Sequence, residues 1–282
     1  MLQNTFVHLP GIGARTELSL WECGIRSWDY FCDENGAKTA PFSRKRLEDL
    51  RNHLGVCRER LCARDPSHFA GPLGTRHLWR LFADFRDCAA YLDIETTGLG
   101  GPSDHITTAA LYDGKQVFYY IYGENLDYFA CELEKYRVLI TYNGSCFDLP
   151  FIRNQFGIAV DHVHIDLRYL LGGLGYRGGL KGCERSLGLD RAELNGVDGY
   201  FAVLLWHEYI NRKNSKALET LLAYNIADTV NLENLMIKSF NMKLSETPFP
   251  ELKISLPSPP AIPFKPDCAL IEELRQRCFG MF

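Results

Sequence analysis

Residues 91–100 read YLDIETTGLG, and they end an apolar run that begins at Cys88. Side chains alternate along a strand, so in a strand over Cys88–Glu95 the acids Asp93 and Glu95 share one face and Ile94 takes the other. Two carboxylates at the end of a buried strand repel each other and need partners. The triplet alone is weak evidence, and its meaning depends on whether other acids converge on it.

The region around this strand, residues 87–242, alternates between strand and helix patterns. We expect further strands at Ile106–Tyr112, Gln116–Tyr122, Val138–Tyr142 and His162–Leu167, the first two joined by an Asp113-Gly114 hairpin turn. We expect helices at Asn125–Tyr136, Leu149–Phe156, Leu180–Leu187, Tyr200–Asn211 and Ala217–Phe240. A hairpin followed by β-α alternation predicts an α/β fold, a mixed sheet with helices on its faces.

Two further segments flank this region. Residues 1–86 read as helical, and between Lys38 and Arg64 eight basic residues stand against three acids. That run is either a solvated helix face or a strip that faces phosphates. Residues 243–282 begin with a proline-rich stretch that excludes regular helix or inner strand, and Asp267 is expected to cap a last short helix to Cys278.

Composition places the chain among ordinary globular proteins, with 46% hydrophobic residues, 23% charged residues and a formal net charge of -4. The start lacks a signal-peptide pattern, and no stretch reaches the roughly 18 apolar residues of a membrane span, so we expect a cytoplasmic protein. The ten cysteines contain no C-x-x-C pair, which indicates reduced thiols. His53, Cys57, Cys62 and His68 do not match a zinc spacing.

Other acids stand in two segments further along the chain. YNGSCFDLPFI, residues 142–152, puts Asp148 where a strand gives way to a helix, and in LLAYNIADTVNLENLM, residues 221–236, Tyr224 and Asp228 lie one turn apart on an amphipathic helix. Taken singly, Asp148 reads as a helix cap and Asp228 as an exposed helix acid. Four convergent carboxylates, however, need cations, and two divalent ions about 4 Å apart can clamp the oxygens of a phosphodiester.

Together, the three segments resemble motifs Exo I, Exo II and Exo III of the DEDD 3′→5′ exonucleases, which have an RNase H-like fold. The Tyr-x-x-x-Asp spacing is that of the DEDDy branch, and HLPGIG, DIETTGLG, TYNGSCFDLPF and GLKGCERSLG look like bacterial YprB-type proteins. The resemblance covers about residues 88–240. It implies that Asp93, Glu95, Asp148 and Asp228 bind two Mg²⁺ or Mn²⁺ ions and that Tyr224 orients the attacking water.

The same resemblance implies that Thr97 and Leu99 meet the 3′-terminal nucleotide, and that Asn143 orients the second segment or touches substrate. Arg177 and Lys181 would reach a phosphate backbone, or are merely solvated. Arg177 lies within GLGYRG and Lys181 follows it. This segment matches G-x-G-x-x-G but lacks the preceding strand that a dinucleotide site needs. Asp166 either reaches the acids or caps the turn that follows it.

The opening HLPGIGARTELSLWECGIRSWDYF, residues 8–31, reads as a helix, a tight turn and a second helix. It resembles a helix-hairpin-helix motif, in which N–H groups at a helix start hold a DNA phosphate. The resemblance implies phosphate contacts from Gly11, Gly13 and Arg15. Glu17 stands where a small residue is usual, so a purely structural hairpin is the alternative.

The acids favour metal-dependent hydrolysis of phosphodiesters, and the resemblance implies a 3′→5′ exonuclease that releases nucleoside monophosphates. The hairpin-like start favours DNA, and single strands fit a terminal-nucleotide pocket. Two alternatives stay open: an RNA 3′-trimming enzyme, and a non-catalytic nucleic-acid-binding adaptor that recruits a helicase or repair partner. The four acids do not distinguish DNA from RNA.

Overall fold

A five-stranded sheet in the order β3-β2-β1-β4-β5 lies at the centre of the protein, whose computed structural model describes residues 1–189, 194 and 197–279. Strand β2 pairs antiparallel with β1 and β3, whereas β1, β4 and β5 run parallel. The mixed α/β sheet expected from the sequence is thereby confirmed. Its strands are β1 (Ala89–Thr96), β2 (Ile106–Tyr112), β3 (Val117–Ile121), β4 (Val138–Thr141) and β5 (Val163–Asp166).

The central strand β1 is longer than its parallel neighbour. Strand β4 pairs only with Ala89–Tyr91, so the end of β1 that carries Asp93 and Glu95 has no strand beside it on that side. Because β1, β4 and β5 are parallel, their carboxyl ends meet at one edge of the sheet. This edge collects the polar segments that follow the strands.

Helices cover both faces of the sheet, and the longest of them is almost entirely buried. The helices that follow β3 are α7 (Phe129–Leu133), α8 (Asp148–Phe156), α9 (Leu167–Gly173), α10 (Gly179–Ser186), α11 (Gly199–Arg212), α12 (Ser215–Ser245) and α13 (Cys268–Phe279). Those before β1 are α1 (Ala14–Glu22), α2 (Trp28–Cys32), α3 (Glu34–Thr39), α4 (Arg44–Cys62), α5 (Ser67–His77) and α6 (Phe82–Phe85). Helix α12 packs along β1 and β2.

Helix α7 is shorter than the helix expected over Asn125–Tyr136. The Asn125 side chain accepts a hydrogen bond from the N–H of Ile121 at 2.7 Å and donates one to the carbonyl of Tyr119 at 3.1 Å. Asn125 therefore closes the end of β3, and a 3-10 turn over Leu126–Tyr128 separates it from α7; such side-chain bonds to nearby backbone are typical of this residue.

The N-terminal helices share their hydrophobic core with the sheet. One continuous cluster of buried side chains runs from Met1 through β1, β4 and β5 to α12. Within it, the Phe240 ring of α12 lies 5.7 Å from Trp79 and 5.8 Å from Phe82, centroid to centroid. Burial of such rings dominates core energetics, so the two parts of the chain stabilise each other.

Most basic side chains between Lys38 and Arg64 have partners within this N-terminal part. Lys38, Arg44 and Lys45 are the cations of the stretch whose side chains make neither a hydrogen bond nor an ion pair with another described residue. The others contact Pro10 (Arg46), Asp33 (Arg51), Asp29 (Arg58), Asp65 (Arg60) and Asp87 (Arg64). Most of this run therefore holds the N-terminal helices together.

The opening segment forms the expected helix, tight turn and helix. Gly24 follows α1 with φ +86°, and the Ser27 hydroxyl caps α2 by accepting from the N–H of Tyr30. Glu17 points inward: its Oε1 accepts from the N–H groups of Phe6 at 2.6 Å and Val7 at 3.1 Å. Both of its oxygens accept from Arg80 Nη1 at 2.8 Å, so Glu17 does not face the exposed side of the loop.

The C-terminal part follows the sequence pattern. From Lys253 to Asp267 the chain has no regular helix or strand, and Phe264 packs on Tyr119 with centroids 5.0 Å apart. Asp267 accepts from the N–H of Leu270 at 3.0 Å and so caps α13, as expected. No helix within the described residues is long and apolar enough to span a bilayer.

Replacing Glu17 by alanine should destabilise the fold, because it leaves the buried Arg80 charge and two loop N–H groups without their acceptor. We expect a loss of about 3–5 kcal/mol in the free energy of unfolding, measured by urea titration. Glu22→Ala, an exposed site on the same helix, is the control and should change it by less than about 0.5 kcal/mol. Equal midpoints for the two variants would contradict this.

Candidate metal centre

Three of the four expected acids lie together at the open end of β1. Oxygens of Asp93, Glu95 and Asp228 lie within 4.8 Å of one another, close enough to share a cation. Strand β1 supplies two of them and α12 the third, because the apolar stripe of α12 packs along the sheet and turns Asp228 toward β1. Within the described part of the chain, no other group of three His, Cys, Asp or Glu side chains has this property.

Asn225 holds the first acid in place and was not identified from the sequence. Its Nδ2 donates to Asp93 Oδ2 at 2.7 Å and to the Asp93 carbonyl at 3.1 Å, and its side chain is fully buried. Buried amides need hydrogen-bond partners, so this contact both pairs Asn225 Nδ2 and orients Asp93, while Asn225 Oδ1 is buried without a hydrogen bond to a described residue. An amide within the apolar stripe of α12, between Tyr224 and Ile226, was the signal available in the sequence.

The fourth acid, Asp148, lies beside the group without belonging to it. It is the first residue of α8, and its Oδ1 accepts from the N–H of Ile94 at 3.2 Å. That N–H lies on the side of β1 where β4 is missing, so the carboxylate replaces a strand partner. Asp148 is not the cap of α8, because that position belongs to Phe147.

Burial and mutual repulsion dominate the electrostatics of the acids. Burial raises the pKa of Glu95 well above its usual range, and Asp93, Asp228 and Asp148 raise it further. Burial also raises the pKa of Asp148 to about 7, against the lowering effect of its backbone hydrogen bonds. Negative charge on these carboxylates is therefore unfavourable in the absence of a bound cation.

Lys181 supplies the opposing charge. Its Nζ lies 4.7 Å from the centroid of the Tyr224 ring, and its cation lowers the pKa of Glu95 against the other influences. Tyr224 is buried one helical turn before Asp228, as the spacing predicted. Lys181 thus faces the acids from α10, whereas Arg177 is exposed in the loop before that helix.

Such a donor set fits hard divalent cations. All the candidate ligand atoms are carboxylate oxygens, which Mg²⁺ and Mn²⁺ prefer, and the raised pKa of Glu95 shows how poorly the pocket tolerates its own charge without a cation. Asp93, Glu95 and Asp228 would hold the ions, with Asp148 beside them.

Asp166 organises the turn after β4 instead of joining the group of three. Its carboxylate accepts from the N–H groups of Asn143 at 2.8 Å, Ser145 at 3.1 Å and Arg168 at 3.0 Å. Asn143 adopts φ +68°, a conformation that Asn tolerates, and its side-chain oxygen accepts from Arg168. Asn143 therefore shapes this turn and makes no hydrogen bond to the acids of the described site.

The turn after β1 is built around Asp104. Thr97 Oγ1 accepts from the N–H of His105 at 3.0 Å, and Asp104 accepts from the N–H groups of Gly100 and Gly101 at 3.0 and 2.7 Å. Leu99, at the tip, is 93% exposed. The turn thus presents an apolar side chain to solvent next to the acids.

The glycine-rich GLGYRG segment follows a helix, α9, and not a strand. A dinucleotide fingerprint needs its glycines directly after a strand, so the structure agrees with setting that match aside. Asp198, about twenty residues after it, caps α11 by accepting from the N–H of Phe201.

The hairpin residues lie at the start of α1. Gly11 has φ +69°, and a side chain there would meet Arg46 Nη2 at 2.6 Å. Gly13 is the N-terminal cap residue of α1 without a side-chain cap bond, and Arg15 is exposed in the first turn. A cavity of about 600 Å³ opens beside residues 7–13.

The cysteine and histidine residues of α4 and α5 do not form a comparable site. Cys57 Sγ lies 3.6 Å from His68 Nε2, and burial raises the pKa of the Cys57 thiol to about 11. Such a thiol is inert. Every cysteine whose side chain the structure describes is free of disulfides.

Comparison with known proteins places this site in a family. A family model described as RNase_H superfamily (RNase_H_2) matches residues 90–239. No curated protein matches the chain. Among solved structures, the chain is similar to the family B DNA polymerase from the hyperthermophilic archaeon Pyrobaculum calidifontis, at 17% identity and a TM-score of 0.42; the match covers 60% of this chain and 27% of that chain. Because the family model spans more than half of the chain, the protein belongs to the RNase H superfamily.

Proposed function

We propose that the protein is a metal-dependent 3′→5′ exonuclease that hydrolyses the phosphodiester bonds of nucleic acid, with single-stranded DNA favoured. The observation that carries this proposal is the convergence of Asp93, Glu95 and Asp228 on one pocket, with Asp148 against the backbone between the first two. Superfamily membership supports nuclease chemistry on nucleic acid, and the DEDDy pattern of the sequence supports the polarity.

Two Mg²⁺ or Mn²⁺ ions at this site would supply charge neutralisation and a nucleophile at neutral pH. The protein's own part is to hold the ligands. Asn225 fixes Asp93 from α12, and the Ile94 N–H fixes Asp148. Burial keeps Glu95 and Asp228 away from bulk water, which strengthens their attraction for a cation.

Tyr224 and Lys181 complete the proposed machinery. The unperturbed pKa of a tyrosine, near 10, makes its hydroxyl a hydrogen-bond donor that positions water rather than a base. The Lys181 cation faces Glu95 and lies over the Tyr224 ring, where it can stabilise negative charge that develops on the phosphate.

Substrate contacts around the acids follow from the surrounding turns. Leu99 and Thr97 would receive the terminal nucleotide, since the exposed Leu99 offers an apolar surface to a base. Two further side chains would lie along the bound nucleic-acid strand: Arg177, which is exposed before α10, and Asn143. Residues 1–86 would then act as an accessory part, with Gly11, Gly13 and Arg15 as contacts to a DNA phosphate.

Replacing either Asp93 or Asp228 by asparagine should abolish turnover, because it removes a metal ligand while keeping the shape of the side chain. We expect a loss on the order of 10³-fold in the release of nucleotides from an end-labelled single strand with Mn²⁺. Asp127→Asn, an exposed acid after β3, is the matched control and should keep full activity.

Parallel DNA and RNA oligomers, labelled at the 5′ or the 3′ end, decide substrate and polarity in the same assay. Faster loss of RNA would make the protein an RNA 3′-trimming enzyme. Binding of both strands by an inert wild-type protein, with no difference from Asp93→Asn, would make it an adaptor and contradict the proposal.

Removing the Lys181 charge should slow the chemical step. Lys181→Met keeps most of the side-chain volume, and we expect kcat to fall roughly 10- to 100-fold with little change in KM, since the cation faces the acids. Arg185→Met, four residues later and exposed on the same helix, is the control. An effect on KM alone would show that Lys181 only contacts the strand.

The metal-free protein should lose stability as the pH rises toward neutrality. Asp148, with its pKa raised to about 7, keeps its proton when folded at pH values where the unfolded chain has released it. The unfolded state then binds fewer protons, so the free energy of unfolding falls from about pH 4 to about pH 7. Thermal melts across this range with chelator present should show the decline, and Asp148→Asn should make it shallower, leaving the contribution of Glu95, whose pKa burial also raises.

Metal binding should show the opposite pH dependence, because ligands must release their protons to coordinate a cation. We expect the increase in Tm caused by Mn²⁺ to grow from about pH 5.5 to about pH 8. A Tm increase that stays constant with pH, or that persists in Asp93→Asn, would place the ion elsewhere.

A further inference from the structure

A groove of about 930 Å³ runs between the N-terminal helices and the β5 edge of the sheet. We call it the β5 groove; α1, residues 75–80, β5, α9 and the end of α12 form its walls. Some of these walls come from residues before residue 90, where the family match begins, and the others from residues within or after the match. The volume falls within the range of ligand-binding clefts.

Positive charge gathers on one wall of the β5 groove. Burial lowers the pKa of His77 to about 4, and the cations of Arg80, Arg76 and Lys243 lower it further. Arg80 is bound by Glu17 and Lys243 by Glu246. Arg76 is exposed and makes no hydrogen bond or ion pair with any residue that the structure describes. Arg76 is therefore available to an anion that enters the groove.

The opposite wall offers an aromatic surface. Tyr169 of α9 lines the groove and is 60% exposed, with its hydroxyl 3.6 Å from Cys146 Sγ. An exposed ring across a groove from an unengaged guanidinium matches the chemistry of a nucleotide, which has a flat base and a phosphate. An acidic peptide or a free anion would not use the ring.

One end of the β5 groove adjoins the acids. Ser145 and Asp166 line that end, and Asp166 is close enough to Asp148 to raise its pKa. Asp148 in turn lies against the backbone between Asp93 and Glu95. The groove and the candidate metal centre are thus neighbours along the edge where β4 and β5 end.

We propose that the β5 groove binds the single strand several nucleotides away from its cleaved end, with Tyr169 stacking on a base and Arg76 pairing with a phosphate. The inference rests on the proposed exonuclease function, whose terminal nucleotide would sit at the acids. It gives the N-terminal helices a direct share in holding substrate.

The test compares long and short strands on the full-length protein. Fluorescence anisotropy measures the Kd of labelled thymidylate dodecamer and trinucleotide with Mn²⁺, in an Asp228→Asn background that prevents turnover. Tyr169→Ala and Arg76→Ala should each weaken dodecamer binding by about 5- to 30-fold and trinucleotide binding by less than about 2-fold. Tyr128→Ala, 71% exposed after β3, and Lys115→Ala, exposed in the β2–β3 turn, are the matched controls and should change neither.

Salt dependence separates the two roles. Arg76→Ala should lower the slope of log Kd against log salt concentration by about 0.7, the value for one phosphate contact on a single strand, and Tyr169→Ala should leave it unchanged. The inference would be overturned if the variants lost equal affinity for the dodecamer and the trinucleotide, or lost no affinity for either. It would also be overturned by binding of thymidine monophosphate that Tyr169→Ala and Arg76→Ala weaken as much as they weaken dodecamer binding, which would indicate a mononucleotide pocket in the groove.

Failure of the proposed function gives a different result. If the wild-type protein releases no nucleotides but the groove variants still lose affinity for the dodecamer only, the groove inference holds and the exonuclease proposal fails. If the wild-type protein degrades strands and neither groove variant affects dodecamer binding, the exonuclease proposal holds and the groove inference fails.

Discussion

Repulsion among buried carboxylates is the constraint on which the rest of this structure depends. Asp93, Glu95 and Asp228 share a pocket that burial makes unfavourable for charge, and the raised pKa of Glu95 is the measure of that cost. Only a rigid frame keeps such groups together. Packing of α12 along β1, the Asn225 bond to Asp93 and the Asp148 bond to Ile94 provide that frame, while Lys181 partly offsets the charge.

The same frame explains why the acids lie at an edge of the sheet. Strand β4 stops pairing with β1 at Tyr91, which leaves room and unpaired backbone at the end of β1. Asp148 fills one gap with its carboxylate, and Asp166 draws in the N–H groups of the turn after β4. In a longer sheet, these backbone N–H groups would bond to a neighbouring strand. Here they donate to acidic side chains instead.

Sequence patterns predicted the sheet well, because it depends on local signals, and three of the four acids that they singled out lie together in the structure. Alternating β-formers, a hairpin turn and the apolar stripe of α12 each reflect the periodicity of one element. The contact of Asn225 with Asp93 could not be predicted this way, since the two residues are 132 positions apart. The same holds for the inward orientation of Glu17, whose partner Arg80 is 63 positions away. The later start of α7, after Asn125, was missed because the Asn125 side chain bonds the backbone of β3. The β5 groove exists only once both parts of the chain pack together.

Helix α12 connects these parts, and this has a consequence for how the chain can be divided. The middle of the helix carries Asp228, and further along Phe240 lies among the aromatic rings of the N-terminal part. The limits of homology, residues 90–239, therefore do not mark a unit that can be excised intact. A fragment cut at these residues would expose the apolar face of α12, the helix that also carries Asp228. Its solubility and the geometry of the acids would therefore be lost together.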